Sequence, residues 1–236
     1  MMNEYEKKIM LEISNLEAGA KCMMYDYGSM NDCCAEFSAN FVGGNAYGII
    51  GEFGSGGWAL SYTLTGNKSK NDCITNGTIK IDGKIVTLNE LKKISCYVGE
   101  EGIKTKWLGL KKMSVLEQLR TASIDNEHID IDKIIEEFQL SHERVNRPVQ
   151  HLSGERWNAS MAIGYALNKK IYCFPWFNSG WMYRLRPRLQ ACFDVLKKNG
   201  AIIILPTANI KSVADIVDVT MHIKVPNDIL LESQNI

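Results

Sequence analysis

An excess of charge of either sign is missing from this chain. Across 236 residues, 27 Lys and Arg balance 27 Asp and Glu, the formal net charge is zero, and no polybasic run stands out. No nucleic acid is expected as the main partner, because such binding is dominated by phosphate neutralisation. Paired, metal-type cysteines are missing too: the seven are odd in number, include adjacent Cys33 and Cys34, and form no CxxC pair. Neither a disulfide framework nor a zinc site follows, and reduced thiols in the cytoplasm are the expectation. Long hydrophobic runs are absent. MMNEYEKKIMLEISN at the start lacks the apolar stretch of a signal peptide, and AIIIL (Ala201 to Leu205) is far short of a membrane span. A soluble chain is expected, so any work at a membrane would need an embedded partner. Repeats, low-complexity tracts and Pro/Gly-rich linkers are also lacking.

What is present reads as an ordinary globular chain, with 45% hydrophobic and 23% charged residues and ample length for a core. AYGIIG (Ala46 to Gly51) is a buried-strand run ending in glycine, and TIKIDGKIV (Thr78 to Val86) alternates around Asp82-Gly83 as a hairpin. KIYCFPWF (Lys170 to Phe177) and GAIIILP (Gly200 to Pro206) are further apolar runs, each after a plausible helix. From about Ser114 to Leu167 the text is mainly helical, and IDIDKIIEEFQL within it reads as a solvated helix with a buried stripe. Strands alternating with helices predict an α/β fold with parallel pairing. GEFGSGGW (Gly51 to Trp58) follows its strand as a phosphate-binding loop would. Gly51 and Gly56 fit G-x-x-x-x-G-K-[ST], but Gly57 stands at the lysine and Trp58 at the metal-binding hydroxyl.

Read outward from that loop, the sequence resembles the ATP-binding cassette (ABC) family of transporter ATPases. GEFGSGGWALSYTLTG lines up without gaps on the family's GPNGSGKSTLLxxLxG, and NGTIKIDGK follows like its xGxIxxDGx hairpin. MSVLEQL (Met113 to Leu119) is similar to its TVxENL helix start, RPVQHLSGERW with AIGYALNKK to its LSGGQ signature and trailing helix, and VADIVDVTMHI to its closing strand. Tyr27 sits where the family has an aromatic residue that stacks on adenine. The resemblance implies one domain over residues 1–236. It would have a RecA-like P-loop core, an antiparallel β-subdomain and an α-helical signature subdomain from about Glu101 to Tyr165.

The family's chemistry is lost position by position. Gly57 cannot bridge the β- and γ-phosphates, a loss of about 1.5–3 kcal/mol for a charge-assisted contact. After IYCF, Pro175 and Trp176 replace the metal-organising and general-base carboxylates, and a positioned acid or base is worth about 10²–10⁴-fold. The Thr-His-Asp switch reads Thr207-Ala208-Asn209, and the Q-loop glutamine falls on Glu100, or on Gly99 with a shifted register. The signature retains Ser153 and Gly154 but continues with Glu155 and Arg156.

These residues imply a pseudo-ATPase with no catalytic residue of its own. ATP is expected to bind weakly at most and Mg²⁺ not at all at its own site. Residual binding would use Tyr27, Gly51, Gly54, Ser55, Gly56, Gly57 and Trp58, while Ser153, Gly154 and Glu155 would face a partner's ATP, Glu155 needing Arg156 or Mg²⁺ to offset its charge. Blander readings stand beside these: a structural glycine turn, a packed Tyr27, Ser153 as a helix cap, and Trp58 and Trp176 as plugs rather than a new aromatic pocket. The four histidines do not cluster. The implied partners are another ABC ATPase subunit in a heterodimer, or a second copy of this chain in a homodimer, and an integral membrane permease. The expected place is cytoplasmic, at the inner face of the membrane.

Overall fold

The computed structural model describes residues 8–24, 28–67, 73–100, 105–106, 111–124 and 129–224. Tyr27 lies outside them. The chain opens with two long strands, β1 (Met10–Met24) and β2 (Gly28–Val42), followed by β3 (Asn45–Ile50) and α1 (Gly57–Leu64). Then come β4 (Cys73–Ile81), β5 (Lys84–Ile85), α2 (Leu88–Ile94), β6 (Ser95–Tyr97) and the two-residue strands β7 (Thr105–Lys106) and β8 (Lys111–Lys112). Helices α3 (Val115–Ile124), α4 (Ile131–Glu137) and α5 (Arg156–Ala166) follow, and β9 (Ile171–Cys173), α6 (Ser179–Lys198), β10 (Ile202–Thr207) and β11 (Val219–His222) close the fold.

The expected α/β architecture is present. Five strands form a parallel sheet in the order β11-β3-β10-β9-β6, and four form an antiparallel sheet in the order β2-β1-β4-β5. Burial on both faces explains the unbroken apolar runs of the central strands. In β10, Ile203 and Leu205 enter the core under α3 to α6, while Ile202 and Ile204 enter the core shared with α1 and the antiparallel sheet. The Asp82-Gly83 turn takes positive φ at both residues, 50° and 79°, as a tight hairpin between β4 and β5 requires.

Local signals set the helix starts. Thr87 and Glu90 form a capping box on α2, and Asn178 caps α6 by accepting the Trp181 amide at 2.9 Å. Before α3, the Glu117 amide donates to Ser114 Oγ at 3.2 Å while the Ser114 amide donates to Glu117 Oε2 at 2.9 Å. IDIDKIIEEFQL supplies α4, with Ile134, Ile135, Phe138 and Leu140 buried and its charges outward. No helix among the described residues is long and apolar enough to cross a membrane.

Candidate functional site

The parallel sheet delivers a strand, a glycine loop and a helix in succession: β3 ends at Ile50 and α1 begins at Gly57. Such a helix start leaves backbone N–H groups unpaired and favours negative charge. Gly56, the residue before α1, has φ 96° and offers no side-chain cap. The cap comes from β2 instead. The Asp32 carboxylate accepts the Gly56 amide at 2.9 Å through Oδ1 and the Ala59 amide at 2.8 Å through Oδ2. It is 2% exposed, and burial raises its pKa while the surrounding backbone N–H groups of Ala59, Gly56, Trp58 and Cys33 hold it down. Both oxygens facing donors suits the ionised form. β2 presses on the loop so closely that a Cβ on Gly56 would stand 2.5 Å from the Cys33 carbonyl oxygen.

Aromatic residues pack on the loop at Gly51 and Gly57. Trp176 donates from Nε1 to the Gly51 carbonyl at 3.0 Å and packs edge-on against Phe53, with ring centroids 5.2 Å apart. Gly57 faces β10: a Cβ there would meet Pro206 Cβ at 2.9 Å and the Trp176 ring at 3.6 Å. Ser55, Gly56, Gly57 and Trp58 are all buried, whereas Gly51 and Gly54 are half-buried. Trp58 sits in a small cluster with Ala20, Ala59 and Tyr97.

The remaining motif positions make structural contacts. Thr207 Oγ1 donates to the Phe177 carbonyl at 2.9 Å, and Asn209 accepts the Lys211 amide at 2.9 Å to start a short 3₁₀ turn. Gly99 donates its amide to Ser160 Oγ at 2.9 Å and accepts Arg156 Nη2 at 2.6 Å, so α5 fastens the strand end after β6. A Cβ on Gly99 would run into the Trp157 ring. Glu100 beside it is exposed as a residue, yet protein crowded around its carboxyl raises its pKa, opposed by Arg156.

At the signature, two details differ from expectation. Ser153 begins a 3₁₀ turn, Ser153–Glu155, with φ 47°, and α5 starts after it without a side-chain cap, so Ser153 is no cap. The charge of buried Glu155 is met by Arg144, with 3.8 Å between Nη1 and Oε2, because Arg156 is engaged by Gly99 and the Trp157 ring. Ser153 is exposed, and nothing lies within 4 Å of a Cβ built on Gly154.

Trp58, Glu100, Ser153, Gly154, Pro175 and Trp176 come together on one cavity of about 560 Å³. Gly51, Gly54, Ser55, Gly56, Gly57 and Glu155 do not line it. Among the described residues no three His, Cys, Asp or Glu are grouped to hold a metal ion. Asp32 was not visible as a site residue from the loop motif. Its one signal is phase: Asp32 shares the inward side of β2 with buried Cys34, where a carboxylate needs a donor set.

No family model matches the sequence, and no curated protein matches it. Solved structures do. The chain is similar to cbiO1 from Clostridium perfringens, described as part of the ABC transporter complex cbiONQ, with a TM-score of 0.63 at 15% identity over 96% of this chain and 92% of that one. This protein has the ATP-binding cassette fold. A second similar structure is a putative ABC transporter ATP-binding protein from Pyrococcus furiosus, with a TM-score of 0.60 at 18% identity over 91% of this chain and 97% of that chain. A third is MJ1267, an ATP-binding cassette of an ABC transporter in its ADP conformation, at a TM-score of 0.60 and 18% identity over 92% of this chain and 87% of that chain. In the cassette frame, the Asp32 carboxylate contacts the amides that a phosphate loop offers to an anion.

Proposed function

We propose that this chain is a cassette that does not turn over ATP at its own glycine loop and acts as a regulatory or structural subunit beside an active ABC ATPase, a membrane permease, or both. The observation that carries this reading is Asp32. Its carboxylate takes the Gly56 and Ala59 amides, so a phosphate entering there meets a negative charge and two spent donors. The residues present do not fit a magnesium–triphosphate complex. Gly57 has no room for a lysine stem, and Trp58, Pro175 and Trp176 offer no side-chain oxygen to a metal. The membership of cbiO1 in a transporter complex supports a permease as partner and a place at the inner face of the membrane.

The test is a titration of the purified chain with a fluorescent ATP analogue, with and without Mg²⁺. The expected outcome is no saturable binding up to about millimolar, where the binding free energy is near −4 kcal/mol. Magnesium-dependent turnover abolished by altering this chain's own loop would overturn the reading.

A second reading has its own support at the signature. Ser153 is exposed and Gly154 faces open space, so this turn is accessible to a γ-phosphate held on a partner cassette. In that arrangement the chain completes a composite site in a heterodimer without using its own loop. Ser153→Trp should then depress the partner's turnover, and unchanged turnover would exclude the shared site.

A further inference from the structure

The cavity beside the signature turn takes Trp58 from the end of the phosphate loop but none of the loop's glycines. Its volume of about 560 Å³ falls within the range of small-molecule sites, about 300–1,000 Å³. Its walls are Trp58, Trp157, Trp176 and Trp181, four of the chain's five tryptophans, with Tyr97 and Phe177. Trp157 and Phe177 are set edge to face with centroids 5.0 Å apart, a fixed aromatic wall.

Charge on the lining has one prevailing sign. Arg156, Arg184 and Arg188 contribute three guanidinium groups against the single carboxylate of Glu100. An aromatic cage for a cation is therefore disfavoured, although tryptophan faces alone would suit one. Arg156 is tied to the Gly99 carbonyl at 2.6 Å and lies over the Trp157 ring at 5.2 Å. Arg184 and Arg188 belong to α6, whose spacing sets Trp181, Arg184 and Arg188 along one stripe. Both arginines are exposed at the mouth, and neither makes an ion pair or hydrogen bond among the described residues. The adjacent stripe of α6, with Met182, Leu185, Leu189 and Phe193, is buried in the core, which holds the helix in place.

We propose that this cavity binds a small aromatic organic anion, with its ring among the tryptophans and its acid group on Arg184 and Arg188. A guanidinium pairs with a carboxylate, a sulfonate or a phosphate ester, so the aromatic acid is the shared chemistry. The cassette would thereby carry an effector site apart from the amides that Asp32 occupies.

Two probes with one body and different charge test this. 8-Anilinonaphthalene-1-sulfonate carries the acid group, and N-phenyl-1-naphthylamine is its neutral counterpart. The expected result on the full chain is saturable sulfonate binding with quenching of tryptophan emission. The double variant Arg184→Glu/Arg188→Glu should weaken the sulfonate by about tenfold or more and the neutral probe by less than about twofold. Trp181→Ala should weaken both probes. Circular dichroism and the melting temperature of each variant verify that it folds. 1-Naphthoate and 1-naphthyl phosphate as competitors separate a carboxylate from a phosphate-ester ligand, and displacement by either supports the site. The proposal is overturned if the sulfonate does not bind, if the arginine variant leaves its affinity unchanged, if that variant weakens both probes alike, or if neither competitor displaces it.

Discussion

A Cβ built on Gly57 would stand 2.9 Å from Pro206 Cβ, closer than real side chains approach one another. Glycine at the start of α1 is thus matched to the proline of β10 that packs against it. Restoring only the lysine of the phosphate loop does not restore the site. Gly57→Lys should lower stability by about 1–3 kcal/mol through overpacking and leave ATP binding undetected. A denaturant midpoint and an ATP titration on the same sample check both halves. Tight ATP binding by this single variant would show that β10 and Trp176 yield easily.

Asp32 makes the opposite prediction, because removing it exposes donors rather than crowding them. Asp32→Ala leaves the Gly56 and Ala59 amides without their acceptor and should cost about 2 kcal/mol or more. The vacated seat should then take an external anion. Sulfate or pyrophosphate should raise the melting temperature of the variant by mass action and do much less for the wild type. Equal anion effects on both proteins would mean that Asp32 does not hold the seat.

The same carboxylate sets a pH dependence. Burial raises its pKa, so the folded chain keeps a proton that the unfolded chain has already lost. Native protons exceed unfolded protons in that window, and this group's contribution to stability falls as pH rises above about 4 through the folded value. Asp32→Asn should remove that slope from the stability–pH curve and leave the rest of its shape.

Much of the fold was legible because its signals are local. The doubly buried runs of β3 and β10, the Asp82-Gly83 turn and the Ser114–Glu117 start of α3 each lie within a few neighbouring residues. The lettering also puts Gly57 and Trp58 in the loop, and Pro175 and Trp176 after β9, where the resemblance expects polar or charged side chains, and three of the four line one cavity. The lock on the loop was not legible, since it depends on distant pairings. Asp32 meets Ala59 across 27 positions, and Trp176 meets Gly51 across 125. The long β1–β2 hairpin hid as well. It shifts register between Ile13 and Leu16 and again before Ala18, which breaks the alternation that marks a strand.

Thiol chemistry reports on the same β2 contact. Cys34 is buried with its pKa pushed up to about 12, and a Cβ on Gly56 would lie 2.5 Å from the Cys34 Cα. A thiol of that kind is about 10⁻⁴ thiolate at pH 8 and reacts correspondingly slowly. Cys33, its neighbour, is half-buried. Iodoacetamide at pH 8 should therefore alkylate Cys33 well ahead of Cys34 in the native chain, read by fragmentation of the shared peptide. Equal labelling would mean that β2 lifts off the glycine loop on the timescale of the reaction.

Two glycines near the signature separate packing from availability. Gly99 has φ 95°, and a Cβ there would overlap the Trp157 ring, so Gly99→Ala combines backbone strain with a clash and should destabilise the chain by about 2 kcal/mol or more. Gly154 lacks both constraints: its φ is not positive and a Cβ meets nothing within 4 Å. Gly154→Ala should leave stability within about 0.5 kcal/mol of the wild type. Its effect on a partner's ATP turnover is then free of any folding defect. Reduced turnover with unchanged stability favours the composite site, whereas unchanged turnover leaves the signature turn without a role in catalysis.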